Sequence, residues 1–440
     1  MYKRQVLPEV SQPQWARNAI DLYVMSQLDA QGLQPSPEAD TYTLVRRVYL
    51  DLLGRPPTPV EAERLVSNPS PDAYDTLVDH LLGSKEYGER WARVWLDLAR
   101  YADTNGYEKD RVRSIWPYRD WVIRALNEDV PFDEFSIQQL AGDMLEESTA
   151  ESQIATGFHR NTMLNEEGGI DPLEYRFYAM VDRVATTGTV WMGLSIGCAQ
   201  CHTHKYDPIS HQEYYQFMAL LNNADEPDLM VKTEEVGSQQ KRIEGAVLEL
   251  EKELPKQFPP TEEGDATEAI RRKENFEKHF QAWLIEARER SQPWRIMVPT
   301  EWETNLPRLE LLEDGSLFST GDITKRDEFV LRFQVEEEML PLTALRLEVL
   351  PDERLPAGGP GRAFYEGRKG DFFLSEIDAR LDEKTLTFAS GTESYGKISI
   401  GSGQAKAANV FDDEGSTGWS TARREGLSLI HISEPTRLSA

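Results

Sequence analysis

Cysteine is nearly absent: the 440-residue chain has two, so no further thiol competes with the pair for whatever chemistry it performs. No apolar run approaches the ~18 residues that a membrane-spanning helix needs, and no transmembrane segment is expected. Positive charge is outnumbered, 48 Lys and Arg against 76 Asp and Glu, for a formal net charge of -28. An acidic surface repels nucleic acid and anionic membranes, and neither is expected as a partner. A P-loop, a dinucleotide fingerprint and a nucleophile elbow are missing, and no repeat of fixed period is found. No apolar stretch follows Met1-Tyr2-Lys3-Arg4-Gln5, so no secretion signal is visible. What the chain does contain is 39% apolar residues and ten tryptophans, enough for real cores in two or three domains.

The two cysteines stand three apart and a histidine follows them: Cys198-Ala199-Gln200-Cys201-His202. C-x-x-C-H is the pattern of covalent c-type haem attachment. Two thiols add to the two vinyl groups of one haem, and the next residue supplies an imidazole to the iron. The same residues also suit a zinc site or a C-x-x-C disulfide or redox pair. If the motif were α-helical, Cys198 and His202 would share a face at i and i+4.

Around the motif the chain reads as multidomain α+β: a mainly α-helical haem-motif domain (residues 6–225), a helical hairpin or coiled-coil spacer (226–291) and an antiparallel β-sandwich (292–426). Thr58-Pro59-Val60-Glu61 and Ser210-His211-Gln212-Glu213 are capping boxes. Helical stripes follow Ser70-Pro71 up to Gly83, then run through Tyr87, Trp91, Val94, Trp95 and Leu98, and through Tyr118, Trp121, Val122 and Ala125. Phe177 to Gly197 suits a buried helix running into Cys198. Val236, Ile243, Val247, Leu250 and Leu254 are spaced as on a coiled-coil seam, and Ile270, Phe276, Phe280, Trp283 and Ala287 mark a helix returning antiparallel. Beyond residue 292 the period drops to two in Phe329–Phe333, Leu345–Val349 and Lys397–Ile400. The start MYKRQ and the tail Leu427–Ala440 resemble translated sequencing-adapter read-through; the chain is therefore expected to be a fragment, and His431 is set aside with the tail.

Six blocks in order, LVRRVYLDLLGRPPT, RWARVWLDLARYADTNGY, WPYRDWVIRALN, QQLAGDML, TGFHRNTMLNEEGG and CAQCHTHKYDPISHQEYYQF, resemble the planctomycete cytochrome C domain proteins over residues 15–225. TALRLEVLPDERLPAGGPGR, FFLSEIDA and AANVFDDEGSTGW resemble the galactose-binding or discoidin-type sandwich that follows in that family. The resemblance implies an exported protein, periplasmic or extracellular, with haem c and an association with polysaccharide breakdown. Its expected function is electron transfer or other redox work with an unidentified redox partner. The alternatives are a polysaccharide-acting enzyme and a carbohydrate-binding scaffold with a structural metal. The family usually carries an acidic residue where this chain has Thr203, which leaves the partner of His202 open.

His202 is the proximal iron candidate. His159 is the candidate distal ligand, being far enough along the chain to fold over the opposite face, and His204, His211 and Met163 rank below it. An iron with no protein ligand at its sixth position is the further option. Asp103, Asp110, Arg111, Glu166, Glu167, Asp171, Arg176 and Asp182 cluster in the same blocks and read as solvated or salt-bridging, since the adjacent Glu166 and Glu167 point apart. Asp207 is a candidate second partner for a ligating imidazole. Asp412, Asp413 and Glu414 are candidate calcium ligands.

Overall fold

A computed structural model describes residues 6–67, 70–167, 169–224, 226, 228–229, 231, 233–262, 266–290, 294–339, 342–362, 369–382, 384–396, 405–422 and 430–431. The chain divides into two units, residues 1–97 with 122–135, and residues 98–121 with 136–440. The helices, in chain order, are α1 (Ala19–Ala30), α2 (Thr41–Leu53), α3 (Pro59–Val66), α4 (Ala73–Leu82), α5 (Lys85–Leu98), α6 (Trp116–Asn127), α7 (Phe132–Ala141), α8 (Ala150–Ala155), α9 (Gly157–Arg160), α10 (Pro172–Thr187), α11 (His211–Leu221), α12 (Glu234–Glu253) and α13 (Glu268–Arg290).

In the smaller unit local chemistry sets the helix ends. Asp40 accepts from the Thr43 N–H at 3.1 Å and opens α2, and Thr58 and Glu61 close the expected capping box on α3. Val45, Val48, Tyr49, Leu53 and Leu81 are buried together, with Leu77 and Val78 packed against them. Helix α4 starts at Ala73, two residues after Pro71, and stops at Gly83 as its sequence implies. The stripe on α5 is only partly covered, since Trp91, Val94 and Leu98 stay exposed, whereas Tyr118, Trp121, Val122 and Ala125 on α6 are all buried.

The larger unit carries the motif. Its core gathers Met180 and Val184 of α10, Ile196 and Ala199 of the following segment, and Tyr214 and Met218 of α11. A close backbone approach lies at Gly142, where a Cβ would stand 2.0 Å from the Ser152 carbonyl oxygen. Backbone cannot step aside there as a flexible side chain could. Gly142→Ala is expected to lower stability by about 1–3 kcal/mol. The check is the denaturation midpoint against Gly83→Ala, where a Cβ meets nothing closer than 3.5 Å and little change is expected.

Along α12 the seam residues Val236, Ile243, Val247, Leu250 and Leu254 are exposed. A short 3-10 turn, Leu254–Gln257, follows α12 and packs against α13. On α13, Phe276, Phe280 and Trp283 stack in sequence at 6.2 and 5.9 Å.

Past residue 300 the strands are β1 (Glu301–Thr304), β2 (Arg308–Leu311), β3 (Leu317–Thr320), β4 (Phe329–Arg332), β5 (Glu348–Val349), β6 (Phe373–Leu374), β7 (Ala379–Leu381), β8 (Lys384–Leu386), β9 (Trp419–Ser420) and β10 (Ile430–His431). They pair antiparallel as β1–β4, β2–β3, β5–β10, β6–β9 and β7–β8. The antiparallel β character is as the sequence implies, but among the described residues the pairing goes no further than two-stranded ladders. Alternation in β4 does not produce a buried face: Phe329, Val330 and Leu331 are all exposed. Lys397–Ile400 lies outside the described residues. Trp419, fully buried, centres a small core with Val349 and Val410, and its indole N–H donates to the Tyr395 carbonyl at 2.7 Å. No helix among the described residues is long and apolar enough to cross a membrane.

Candidate functional site

The helix expected to run into Cys198 ends before it. After Thr187 the chain makes one π-helical turn, Gly188–Met192, and stops at Gly193 in the left-handed region (φ 65°), whose N–H returns to the Gly188 carbonyl. The chain then folds back so that Ile196 lies over Gly188, where a Cβ would be 2.5 Å from the isoleucine Cδ1. Glycine at 188 is what allows that approach.

The motif itself is 3-10, not α: Ile196–Gln200, with Cys201 as its C-cap. A 3-10 helix has three residues per turn, so i and i+3 eclipse. That period explains the spacing. Ile196 and Ala199 fall on the inner face and are buried in the core, while Cys198 and Cys201 fall on the other face and are exposed. No disulfide joins them. The α-helical pairing of Cys198 with His202 gives way to a pairing of the two thiols.

Polar contacts set the histidines. His202 is exposed, and its Nδ1 lies 2.8 Å from the Thr203 carbonyl oxygen. A carbonyl only accepts, so Nδ1 carries the proton and Nε2 keeps its lone pair. This is the usual way a backbone carbonyl fixes the tautomer of a ligating imidazole. The departure at Thr203 is thereby met by its main chain, with no side chain required. His211 lies one residue past the Ser210 cap, in the expected capping box with Glu213, and its Nδ1 is 3.0 Å from the Ala199 carbonyl, which again leaves Nε2 with a lone pair. Tyr215 stands edge-on to His211 at 5.0 Å and donates its hydroxyl to the Gln200 carbonyl at 3.2 Å. His204 has the opposite tautomer. Its Nδ1 receives the N–H groups of Asp207 at 2.9 Å and Tyr206 at 3.3 Å, so Nε2 is protonated and has no lone pair for a metal. The Asp207 carboxylate is 3.4 Å from that same Nδ1. Beneath the motif, burial first, then Tyr215 and Cys201, push the Tyr214 hydroxyl up from its ordinary value.

The remaining candidates lie in other surroundings. His159 ends α9 with Arg160. Its Nε2 is 3.4 Å from the Leu140 carbonyl, its Nδ1 is buried without a partner, and its main-chain carbonyl accepts from Arg183. Met163 packs its sulphur against Gly106. Among the described residues no three or more His, Cys, Asp and Glu side chains converge as a metal-holding group, and Asp412, Asp413 and Glu414 do not form a cage. Asp412 instead caps its own turn, accepting from the Glu414 N–H and the Thr417 hydroxyl, both at 3.0 Å. Glu166 is buried 3.9 Å from Arg111, and Glu167 accepts the Lys109 N–H at 3.1 Å.

Two residues that the sequence reading passed over organise this region. Arg113 donates to the carbonyls of Ala102, Arg160, Asn161 and Thr162. Glu226 meets Arg160, Arg176 and Arg183. Each is a charged residue among other charged residues in a loop, and its distant partners distinguish it from a solvated one.

Residues 19–226 match the family model described as PSCyt2, protein of unknown function (DUF1549). The chain has no match among curated proteins and none among solved structures.

Proposed function

We propose that residues 198–202 hold one covalently attached haem c and that the protein is an exported redox carrier. The observation that carries this reading is the outward pairing of two free thiols by the 3-10 turn, next to a histidine whose Nδ1 is engaged and whose Nε2 is available. These residues fit the group: Cys198 and Cys201 supply thioether sulphurs on one face, and His202 supplies an axial nitrogen. Bound haem would contribute a one-electron iron couple. The polypeptide's part is to fix the thiols by burying Ile196 and Ala199, and to hold His202 in the ligating tautomer. For the sixth position the geometry favours His211 over His159, because the His211 ring is bonded to the motif at Ala199 and has the same tautomer as His202. Covalent haem attachment occurs outside the cytoplasm, so the compartment is the periplasm or beyond. The antiparallel ladders around Trp419 support a galactose-binding-like module that links this redox work to polysaccharide.

Expression with cytochrome c maturation machinery should give one haem per chain in a pyridine haemochrome assay. Cys198→Ala with Cys201→Ala should abolish haem staining on a denaturing gel. His211→Ala should convert a low-spin spectrum to high-spin, and His159→Ala should leave it unchanged. A colourless or zinc-loaded protein refutes the proposal.

A further inference from the structure

The surface around Cys198, Cys201 and His202 is short of what dominates the rest of the chain, which is charge. No Asp, Glu, Lys or Arg occurs from Val184 to His204, in a chain of which 28% is charged. From there to Ala224 the charged residues are Lys205, Asp207 and Glu213, one cation against two anions, while the whole chain stands at -28. The run of sequence is also a surface. Val184 of α10, Ile196 and Ala199 of the 3-10 turn, and Tyr214 and Met218 of α11 meet in one core, so the segments that present the two thiols come from this stretch.

Its three charges are engaged locally. Lys205 stands over the Tyr206 ring at 5.1 Å, and the Asp207 carboxylate lies 3.4 Å from His204. Glu213 accepts the Ser210 N–H and hydroxyl, both at 2.8 Å. The exposed groups beside the thiols are aromatic, or polar without charge. Tyr206 is 82% exposed, four residues past His202. Tyr215 is exposed where its hydroxyl bonds the Gln200 carbonyl of the motif, and Gln212 is exposed one residue after His211.

This composition decides how a partner binds. Tyrosines with few charges are the make-up of an interface core, where burying an unpaired charge is costly. An acidic protein ordinarily draws a cationic partner to its carboxylates. Here the carboxylates of the stretch, Asp207 and Glu213, are already in use. At physiological salt, charges more than ~8 Å away are largely screened, so the acidic remainder of the chain adds little at the centre of the face. Electron-transfer encounters are small, below ~1,200 Å², and a face of this kind suits one. We propose that the surface around residues 198–202 docks an electron-transfer protein whose own contact surface is uncharged and apolar, held by aromatic contact and not by ion pairs. That the partner carries electrons rests on the haem reading; the scarcity of charge does not.

The first measurement uses the haem-free full chain, because the two thiols report on the centre of the face. They are treated with dianionic dithiobis(nitrobenzoate) and with neutral dithiodipyridine. Between ~0.1 M and ~1 M salt the Debye length runs from ~10 to ~3 Å, so the salt slope reads nearby charge. With the anionic reagent the rate should rise no more than about twofold beyond the rise for N-acetylcysteine amide, whose thiolate has the same charge. Tyr206→Glu and Gln212→Glu should each steepen that slope and leave the neutral reagent unaffected. Neither should lower the melting temperature, since Tyr206 is exposed and an acid in the first turn of α11 is favoured by the helix dipole. The second measurement is voltammetry of the haem-loaded protein on alkanethiol-coated gold. Electron exchange should be about fivefold faster on an uncharged layer of methyl and hydroxyl ends than on an ammonium-terminated layer, and Tyr206→Glu should abolish the preference. The proposal is overturned by a salt rise about tenfold beyond that of the small thiol, by faster exchange on the ammonium layer, or by a Tyr206→Glu protein that keeps the wild-type slope and preference. A missing haem band alongside the expected thiol kinetics refutes the haem reading, and the partner's redox identity with it, but not the uncharged face.

Discussion

Replacing Glu226 with alanine is expected to destabilise the larger unit by about 3–5 kcal/mol, the usual cost of leaving a buried charge without its partner. Arg183 is 3% exposed, and its guanidinium bonds the Glu226 carboxylate. Arg160 donates to the same carboxylate at 3.2 Å and to the Glu226 main-chain carbonyl at 2.6 Å, and Arg176 approaches to 4.0 Å. Burial would raise the carboxyl's pKa, but Arg183, Arg160 and Arg176 outweigh it and hold it below its ordinary value. Burial also lowers that of Arg183, yet a guanidinium stays charged wherever the protein folds. Without Glu226 three cations converge with, among the described residues, Asp228 and Asp322 at their edges. A fall of the melting temperature on the order of 10 °C is expected. Arg183→Met with Glu226→Met removes both charges and should cost less than either change alone. A loss in the double variant equal to the sum of the two single losses would show that the pair is not coupled. Because the carboxyl is depressed in the folded state, its contribution is present above the unfolded pKa of ~4.3 and is lost as pH falls through the folded value.

Stability should also fall as pH drops from 6.5 to about 4, and the cause is His159. Burial first, then the Arg183 charge, lower its pKa to about 4 from 6.5. The folded protein therefore keeps His159 neutral over a range where the unfolded chain takes up a proton. Where the unfolded state binds more protons, stability rises with pH. The contribution is complete above pH 6.5, declines between 6.5 and 4, and is gone below the folded value. Its size is on the order of 3 kcal/mol. Denaturant midpoints measured from pH 7.5 to 4 should follow this slope, and His159→Gln, which keeps an amide donor for the Leu140 carbonyl, should flatten it. An unchanged slope in that variant assigns the effect to another group. The acid loss from Glu226 falls at lower pH, so the two are separable.

Short-range chemistry was legible in the sequence because it needs only neighbours. The Thr58 and Ser210 capping boxes, the buried stripe of α6 and the stop of α4 at Gly83 follow from residues three or four apart. The C-x-x-C-H motif was legible too, but the expected α-helical pairing of Cys198 with His202 was not what forms, since the turn is 3-10 and sets the two thiols on one face. Its choice rests on Ile196 reaching back to Gly188, a contact made only once α10 has ended. Apolar pattern alone overstated what lies between: the run Phe177–Gly197 is broken by a left-handed Gly193, and the α12 seam has no cover among the described residues.

What the sequence by itself determined is the kind of chemistry available: a thiol pair with a histidine, an acidic surface, helices first and antiparallel strands after. Only the tertiary structure decided how single residues are used. Proton positions on His202, His204 and His211 depend on which main-chain group each ring meets, and Glu226 and Arg113 acquire their roles from partners tens of residues away. Sequence records which polar groups a chain possesses; burial, which arises only when distant segments close over them, makes a missing or a shared partner matter.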